Sequence, residues 1–461
     1  MNQDKKIVII GCGAGGGTAA QFARKTDRKA SITVFEKGQY PQYSKCGLPY
    51  VISGRIPEFK DLIEFSEKWF KKANIDLLME ATVDQIDVKK QVVVAKKGKE
   101  IIEKPYSSLI IATGAKPSII PIKNIYKNGT LVDGVNVVRT IEDGEKINSF
   151  VKKGKNVTII GAGLIGLEMA DNFHKKDMNV TVVEALTSIL SSTLDENMSS
   201  QIREEISKNI SLFTNHLATK IESKNGKICS VFIKNAETGK KIKIETDLLI
   251  IAAGCKPDTS LAKNARCKIG KNGHILVNEK TETSVKNVYA VGDCTEYKDF
   301  VTKKPISIGL GSIVVRQAIA AGVNSAGGNY KLPDGVLQTC TSDLFGLEIA
   351  SVGPTVGFID NISIVSGKFN GFSLPEYFPG GKSITVKIFV DYQTGSILAA
   401  QAVGNSAAQR INTFACAILG GMTVETLRRL ETAYAPSVAP TLDVITLVCD
   451  IVSMKMNRKR R

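Results

Sequence analysis

The stretch KIVIIGCGAGGGTAA, residues 6–20, decides the fold, and it returns in style as NVTIIGAGLIGLEMA at residues 156–170. Each copy is a β-branched strand, a G-x-G-x-x-G turn and an apolar helix. The glycines are Gly11, Gly13 and Gly16 in the first copy and Gly161, Gly163 and Gly166 in the second. Glycines so spaced let a backbone approach a pyrophosphate, whose charge then faces the N–H groups and positive dipole at the helix start. Each copy leads to a second strand ending in an acid, Glu36 in ASITVFEKG and Glu184 in NVTVVEAL, where a ribose would lie. Each half closes with another apolar strand and turn: LIIATGAKP, which carries Thr113 and Gly114, and LLIIAAGCKP, which carries Gly254. One such turn is a weak signal. Two, each with its acid in register, imply two Rossmann-like dinucleotide-binding folds of the α/β class.

The rest of the chain is read around that pair. Its 461 residues are enough for about three domains. Downstream of the second fold, NVYAVGDCTE ends a strand in Gly292-Asp293, a place for a carboxylate against a polyol chain. From about Gly335 the pattern changes to alternating strands, LFGLEIASVG and SITVKIFVD, followed by two helical stretches, NTFACAILGGM and TVETLRRLETAY. An α+β domain without a Gly-rich phosphate loop is therefore expected at the end.

Composition excludes several classes. Nine cysteines, an odd count without paired spacing, fit a reducing interior, and a cytoplasmic location is expected. The N-terminus runs straight into a strand and Gly-rich turn rather than a cleavable apolar core, and no stretch reaches the ~18 apolar residues of a membrane span. The net charge of +16 and the closing KMNRKRR invite a nucleic-acid reading. The basic residues are scattered, however, and the chain has one Trp for stacking, so nucleic acid is not an expected partner. The charge suits solubility or the attraction of phosphate-bearing small molecules. The tail is expected to be solvated. No closely spaced Cys/His set suggests a metal.

One stretch stands apart: YSKCGLPYVISG, residues 43–54, holds a single cysteine, Cys46, with Val51 five residues on. Together these motifs resemble the FAD-dependent pyridine nucleotide-disulfide oxidoreductases. Within them the chain is most similar to the single-cysteine branch of coenzyme A-disulfide reductases, NADH oxidases and NADH-dependent persulfide reductases. The carriers are the two Gly-rich turns, SKCGLPYVISG, IIATGAKP, TSVKNVYAVGDCTE and AYAPS, which span nearly the whole chain. The resemblance implies an FAD domain split between residues 1–120 and 251–330, an NADH domain over 121–250 and a dimerisation domain over 331–461. Gly11, Gly13, Gly16, Glu36, Thr113, Gly114, Gly292 and Asp293 would then hold FAD. Gly161, Gly163, Gly166 and Glu184 would hold the nicotinamide cofactor, and the acid Glu184 repels the extra phosphate of NADPH, so NADH is the expected donor.

Two-cysteine relatives place their second cysteine five residues after the nucleophile and carry a C-terminal His. Here Val51 occupies the first position, and the three histidines, His174, His216 and His274, all precede the last domain. The resemblance therefore implies hydride transfer from NADH to the flavin, then reduction of a sulfur bond at Cys46 by two electrons. That bond is a mixed disulfide with coenzyme A or another small thiol, or a persulfide. Lys45 and a helix beginning at Cys46 are expected to favour the thiolate. The other eight cysteines, at 12, 229, 255, 267, 294, 340, 416 and 449, are read as small buried hydrophobes. By similarity Tyr377 in PEYFPGG and Tyr434 in TAYAPS act as acids across a homodimer. The peroxide- and oxygen-reducing members carry a His where this chain has Ala14, which favours disulfide or persulfide reduction. The sequence departs from the family in having Gln42, Tyr43, Ser44 and Lys45 before the cysteine instead of Ser-Phe-Ala-Asn, which bears on the sulfur substrate. No rhodanese-like relay is expected after the last domain. The alternatives are an oxygen-reducing NADH oxidase that cycles Cys46 through a sulfenic acid, and a non-catalytic, NADH-responsive flavoprotein.

Overall fold

The computed structural model describes residues 5–460. Two five-stranded parallel sheets repeat one plan. In the first, Lys6–Ile10 lies between Ser31–Phe35 and Ser108–Ile111, with Asp76–Leu78 and Val288–Ala290 at the edges. In the second, Asn156–Ile160 lies between Asn179–Val183 and Leu248–Ile251, with Ser211–Phe213 and Val135–Val137 at the edges. The central strands are buried on both faces, so runs such as Ser108–Ile111 and Leu248–Ile251 need no alternation of polar residues. Each unit also carries an antiparallel three-stranded meander, Thr82–Pro105 between Asp76–Leu78 and Ser108–Ile111 in the first and His216–Glu245 between Ser211–Phe213 and Leu248–Ile251 in the second.

The two copies differ in where the fifth strand comes from. In the second sheet it precedes the Gly-rich turn, whereas in the first it is Val288–Ala290, reached only after the chain has built the whole second unit.

The last part is an antiparallel five-stranded sheet spanning Cys340 to Gly404. Helices Ala407–Leu419 and Val444–Arg460 cover one face in a shared core. On the other side, Leu344, Ile349 and Val403 enter the core of the second unit. The join is also polar: Asp195 accepts from the Val356 N–H (3.1 Å) and the Gln401 amide (3.2 Å), and Lys387 donates to Asn197 at 2.8 Å.

Two expectations about the C-terminal part need correction. Of TVETLRRLETAY only Val424–Leu427 is helical. Leu427 is buried but Leu430 and Tyr434 are exposed, and Pro436 and Pro440 disfavour helix at the residues before them. The closing basic segment is not a free tail, since helix Val444–Arg460 includes most of it and Lys455 donates to the Ser366 carbonyl at 2.8 Å. Arg461 lies outside the described residues. Among the described residues no helix is long and apolar enough to cross a membrane.

Candidate active site

The two Gly-rich turns are built alike. Gly11 and Gly161 have φ of 98° and 106°, the left-handed region that glycine tolerates. A Cβ on Gly16 or Gly166 would collide with the carbonyl of Gly11 or Gly161, so the helix can approach the strand only without one. At Gly13 and Gly163 a Cβ would meet nothing within 4 Å. The middle glycines therefore keep open space above the turn rather than relieving a clash, as a bound pyrophosphate requires. The acids match as well. Glu36 accepts from the Cys12 and Gly38 N–H groups, both at 2.7 Å, and Glu184 from those of Ala162 (2.7 Å) and Leu186 (2.9 Å). Each carboxylate is pinned beside its turn with lone pairs to spare.

The remaining residues expected of the first site gather at the C-terminal ends of its strands, where open α/β sheets bind ligands. Thr113 donates to the Asp258 carbonyl at 2.6 Å, and the Gly114 carbonyl accepts from the Asp258 N–H at 2.9 Å. The Gly292 N–H donates to Gln317 at 2.8 Å. Asp293 pairs with Arg139 at 2.8 Å, and both are largely shielded from solvent. Arg139 escaped the sequence reading because it follows no motif. Its one local signal is the capping box after it: Asp143 accepts from the N–H groups of Arg139 and Thr140 while Thr140 caps helix Ile141–Asn148, which fixes the arginine at a helix start. The Nε of Arg139 is buried without a partner. An orphaned cationic donor beside the Thr113-Gly114 turn fits an anionic dinucleotide.

Cys46 sits in the 3-10 turn Lys45–Gly47, which runs into the short helix Leu48–Ile52. Its place is fixed by Gly47, where a Cβ would drive into Leu62. Solvent reaches Cys46 and Lys45, yet protein crowds both. The expected activation by Lys45 is not what the geometry provides. Burial raises the pKa of the Cys46 thiol, the charges of Glu168 and Asp293 raise it further, and Arg139 is the cation that opposes them. Lys45 is itself pushed down to about 8, first by burial and then by Arg139, against the pull of Glu36 and Asp293. Its ammonium lies 5.9 Å from the centre of the Tyr43 ring. Nor does Cys46 cap a long helix, since a three-residue 3-10 turn precedes the five-residue helix.

Cys12, Cys267, Cys294 and Cys449 are buried as expected, but Cys229, Cys255 and Cys416 are exposed and Cys340 is half-buried. Cys229 lies on the outward face of strand Lys227–Asn235, Cys255 and Cys340 begin strands, and Cys416 is on the outer side of helix Ala407–Leu419. Tyr377 and Tyr434 meet through their hydroxyls at 3.0 Å, with 72% and 47% of their surfaces exposed. Within one protomer they are joined to each other, while the charges acting on Cys46 come from Glu168, Asp293 and Arg139.

Residues 5–321 match the family model described as pyridine nucleotide-disulphide oxidoreductase, and residues 342–444 match that family's dimerisation domain. The chain belongs to this family. It is 37% identical to an NADH oxidase of Methanocaldococcus jannaschii over 98% of this chain and 100% of the relative. It is 33% identical to a CoA-dependent NAD(P)H sulfur oxidoreductase of Pyrococcus furiosus, covering 98% of this chain and 99% of that one. Among solved structures, an NAD-dependent persulfide reductase from A. fulgidus superposes with a TM-score of 0.92 at 33% identity, covering 98% of this chain and 84% of the other. As a member of the pyridine nucleotide-disulphide oxidoreductases the protein is an oxidoreductase of the flavin- and NAD(P)H-dependent kind.

Proposed function

We propose that the protein is an NADH-dependent reductase of small-molecule disulfides or persulfides, coenzyme A disulfide first among them, with Cys46 as its single redox sulfur. The observation that carries this reading is an exposed Cys46 with no second cysteine bonded to it, all nine cysteines being free thiols, and with Arg139 as the cation whose charge favours its thiolate. Gly11, Gly13, Gly16, Glu36, Thr113, Gly114, Gly292 and Asp293 hold FAD. Gly161, Gly163, Gly166 and Glu184 hold NADH. When bound, the flavin supplies a two-electron relay between the nicotinamide and sulfur.

The chain's residues do the rest. Cys46 as thiolate attacks a disulfide sulfur, forming a mixed disulfide and expelling one thiolate. Reduction of that mixed disulfide by two electrons returns the Cys46 thiolate and frees the second thiol. Arg139 stabilises negative charge at Cys46. In a homodimer, Tyr377 and Tyr434 of the partner subunit supply the proton that each leaving thiolate takes up. The positive charge of the chain attracts the phosphates of coenzyme A.

The test is NADH consumption with coenzyme A disulfide, with mass spectrometry of whatever small thiol is attached to Cys46. Turnover that vanishes in Cys46→Ser while bound flavin is retained supports the proposal. Equal turnover in the variant sinks it. The kinship with an NADH oxidase gives a second reading. Oxygen consumption at equal or greater efficiency would make oxygen the acceptor.

A further inference from the structure

We infer that Asp195 is a positioning residue for the nicotinamide cofactor, through which the third domain holds the second Gly-rich turn and the segment after Glu184 in their binding arrangement. The inference rests on the reading that the second unit takes NADH. Residues 185–194 leave strand Asn179–Val183 through Glu184 and run to helix Glu196–Ile206. Ala185, Leu186 and Thr187 are exposed beside the acid, whereas Ile189, Leu190, Thr193 and Leu194 are buried.

Ala162, between Gly161 and Gly163, is tied on both sides. Its N–H donates to Glu184 at 2.7 Å, and its carbonyl accepts from the Leu190 N–H at 2.9 Å. The Leu190 carbonyl closes a turn by accepting from the N–H groups of Thr193 (2.8 Å) and Leu194 (2.9 Å). The Ser199 hydroxyl, on the helix that follows, holds the Ile189 carbonyl at 2.7 Å. Hydrogen bonds thus lead from Glu184 through Ala162 and Leu190 to the residue before Asp195.

Two local conflicts mark this path. Leu190 has φ of 52°, the left-handed region that a bulky side chain avoids, so the turn keeps its shape because its surroundings impose it. Asp195 occupies the N-cap of helix Glu196–Ile206, where an aspartate ordinarily bonds the helix's own N–H groups, yet its side chain caps nothing. The carboxylate is turned to the third domain instead. Its Oδ1 accepts from the Val356 N–H, and its Oδ2 accepts from the Gln401 amide and, at 3.4 Å, from the Lys387 ammonium. The Gln401 Oε1 accepts the Asp195 N–H in return at 3.1 Å. Lys387 and Gln401 stand opposite each other on neighbouring strands and are 8% and 2% exposed. A buried ammonium needs partners, and the oxygens that Lys387 bonds, on Asp195 and Asn197, both come from the second unit. Local preferences are broken at two places on one path, as expected where function sets the structure. What they secure is the Leu190–Ala162 bond, next to the open side of Gly163. Coupling is reciprocal, so a dinucleotide bound at that turn also tightens the join to the third domain.

The test is calorimetric titration of the holoenzyme with NAD+, which occupies the dinucleotide site without starting turnover. Asp195→Ala should weaken binding about tenfold, the size of an ordinary coupling between sites. Asp195→Asn, which keeps an oxygen for the Val356 N–H, should lie between wild type and Asp195→Ala. Gln401→Leu reaches the same carboxylate from the third domain, leaves the second unit unaltered and should weaken binding by less; it carries the test if Asp195→Ala does not fold. Leu427→Ala, which opens a cavity on the helix-covered face of the third domain's sheet, should lower the melting temperature and leave NAD+ affinity unchanged. Wild-type affinity in Asp195→Ala and Gln401→Leu, or an equal loss in Leu427→Ala, overturns the inference and leaves the dinucleotide reading in place. A wild-type protein that takes up no NAD+ overturns both.

Discussion

A thiol reacts as its thiolate, so the charges around Cys46 matter more than its exposure. The neighbour in sequence, Lys45, faces Glu36, Asp293, Arg139 and Lys37 instead, the surroundings of the first dinucleotide site. Its pKa of about 8 predicts a pH dependence of flavin binding, if FAD lies where Glu36 and Asp293 stand. Below that pH the ammonium attracts a pyrophosphate, and above it the charge is lost. Because a bound anion would raise the lysine's pKa, binding takes up a proton above pH 8, and the affinity of apoprotein for FAD should fall by up to about tenfold per pH unit there. Lys45→Met should be flat across that range, by titration of flavin fluorescence. The acid of the other site makes a sharper test. Removing the carboxylate in Glu184→Ala leaves the N–H groups of Ala162 and Leu186 without it and lifts the repulsion of a 2′-phosphate. The ratio of kcat/KM for NADH over NADPH should drop at least about tenfold, or about 1.4 kcal/mol. Glu36 and Glu184 could be found from sequence because a strand end in register with a Gly-rich turn places them. Arg139 could not, because what marks it is an ion pair with Asp293, 154 residues away in the sequence, which only tertiary packing brings about.

At the level of elements, the duplicated strand-turn-helix pattern made both parallel sheets legible, since strands buried on both faces read as unbroken apolar runs. The separate duties of the glycines were not legible, because identical letters serve packing at one position and ligand approach at another. Two alanine substitutions separate them. Gly13 has φ of −71°, which alanine adopts freely, and its Cβ would enter open space. Gly13→Ala should leave the apoprotein's melting temperature unchanged or slightly raised while weakening FAD binding. Gly16→Ala forces a methyl against the Gly11 carbonyl and should cost about 2–3 kcal/mol before any cofactor is added. Equal melting temperatures for the two apoproteins would refute this division. The C-terminal helix was missed for a related reason. Its basic residues read as a solvated run, whereas Val448, Cys449 and Val452 bury a narrow apolar stripe against the sheet.

In the whole molecule, the third domain turns one sheet face to its own helices and the other to the second unit, so its free surface lies elsewhere. On that surface the bonded pair Tyr377 and Tyr434 is exposed along with Phe372, Val438 and Leu442. An aromatic and aliphatic surface of this kind on a dimerisation domain calls for a second copy to cover it. If the tyrosines serve the partner's Cys46, hybrid dimers distinguish that arrangement from one within a single chain. Take one protomer with Cys46→Ser and another with Tyr377→Phe and Tyr434→Phe, each nearly inactive as a homodimer. In the mixed dimer, one site combines the intact cysteine of the second protomer with the intact tyrosines of the first. The other site carries both lesions. A statistical mixture after subunit exchange is half hybrid, so it should recover about a quarter of wild-type disulfide reductase activity. If the tyrosines acted on their own chain's cysteine, every site in the hybrid would still carry a lesion, and mixing would restore nothing. The recovery should appear only under conditions that allow exchange, because it requires new dimers rather than repaired chains.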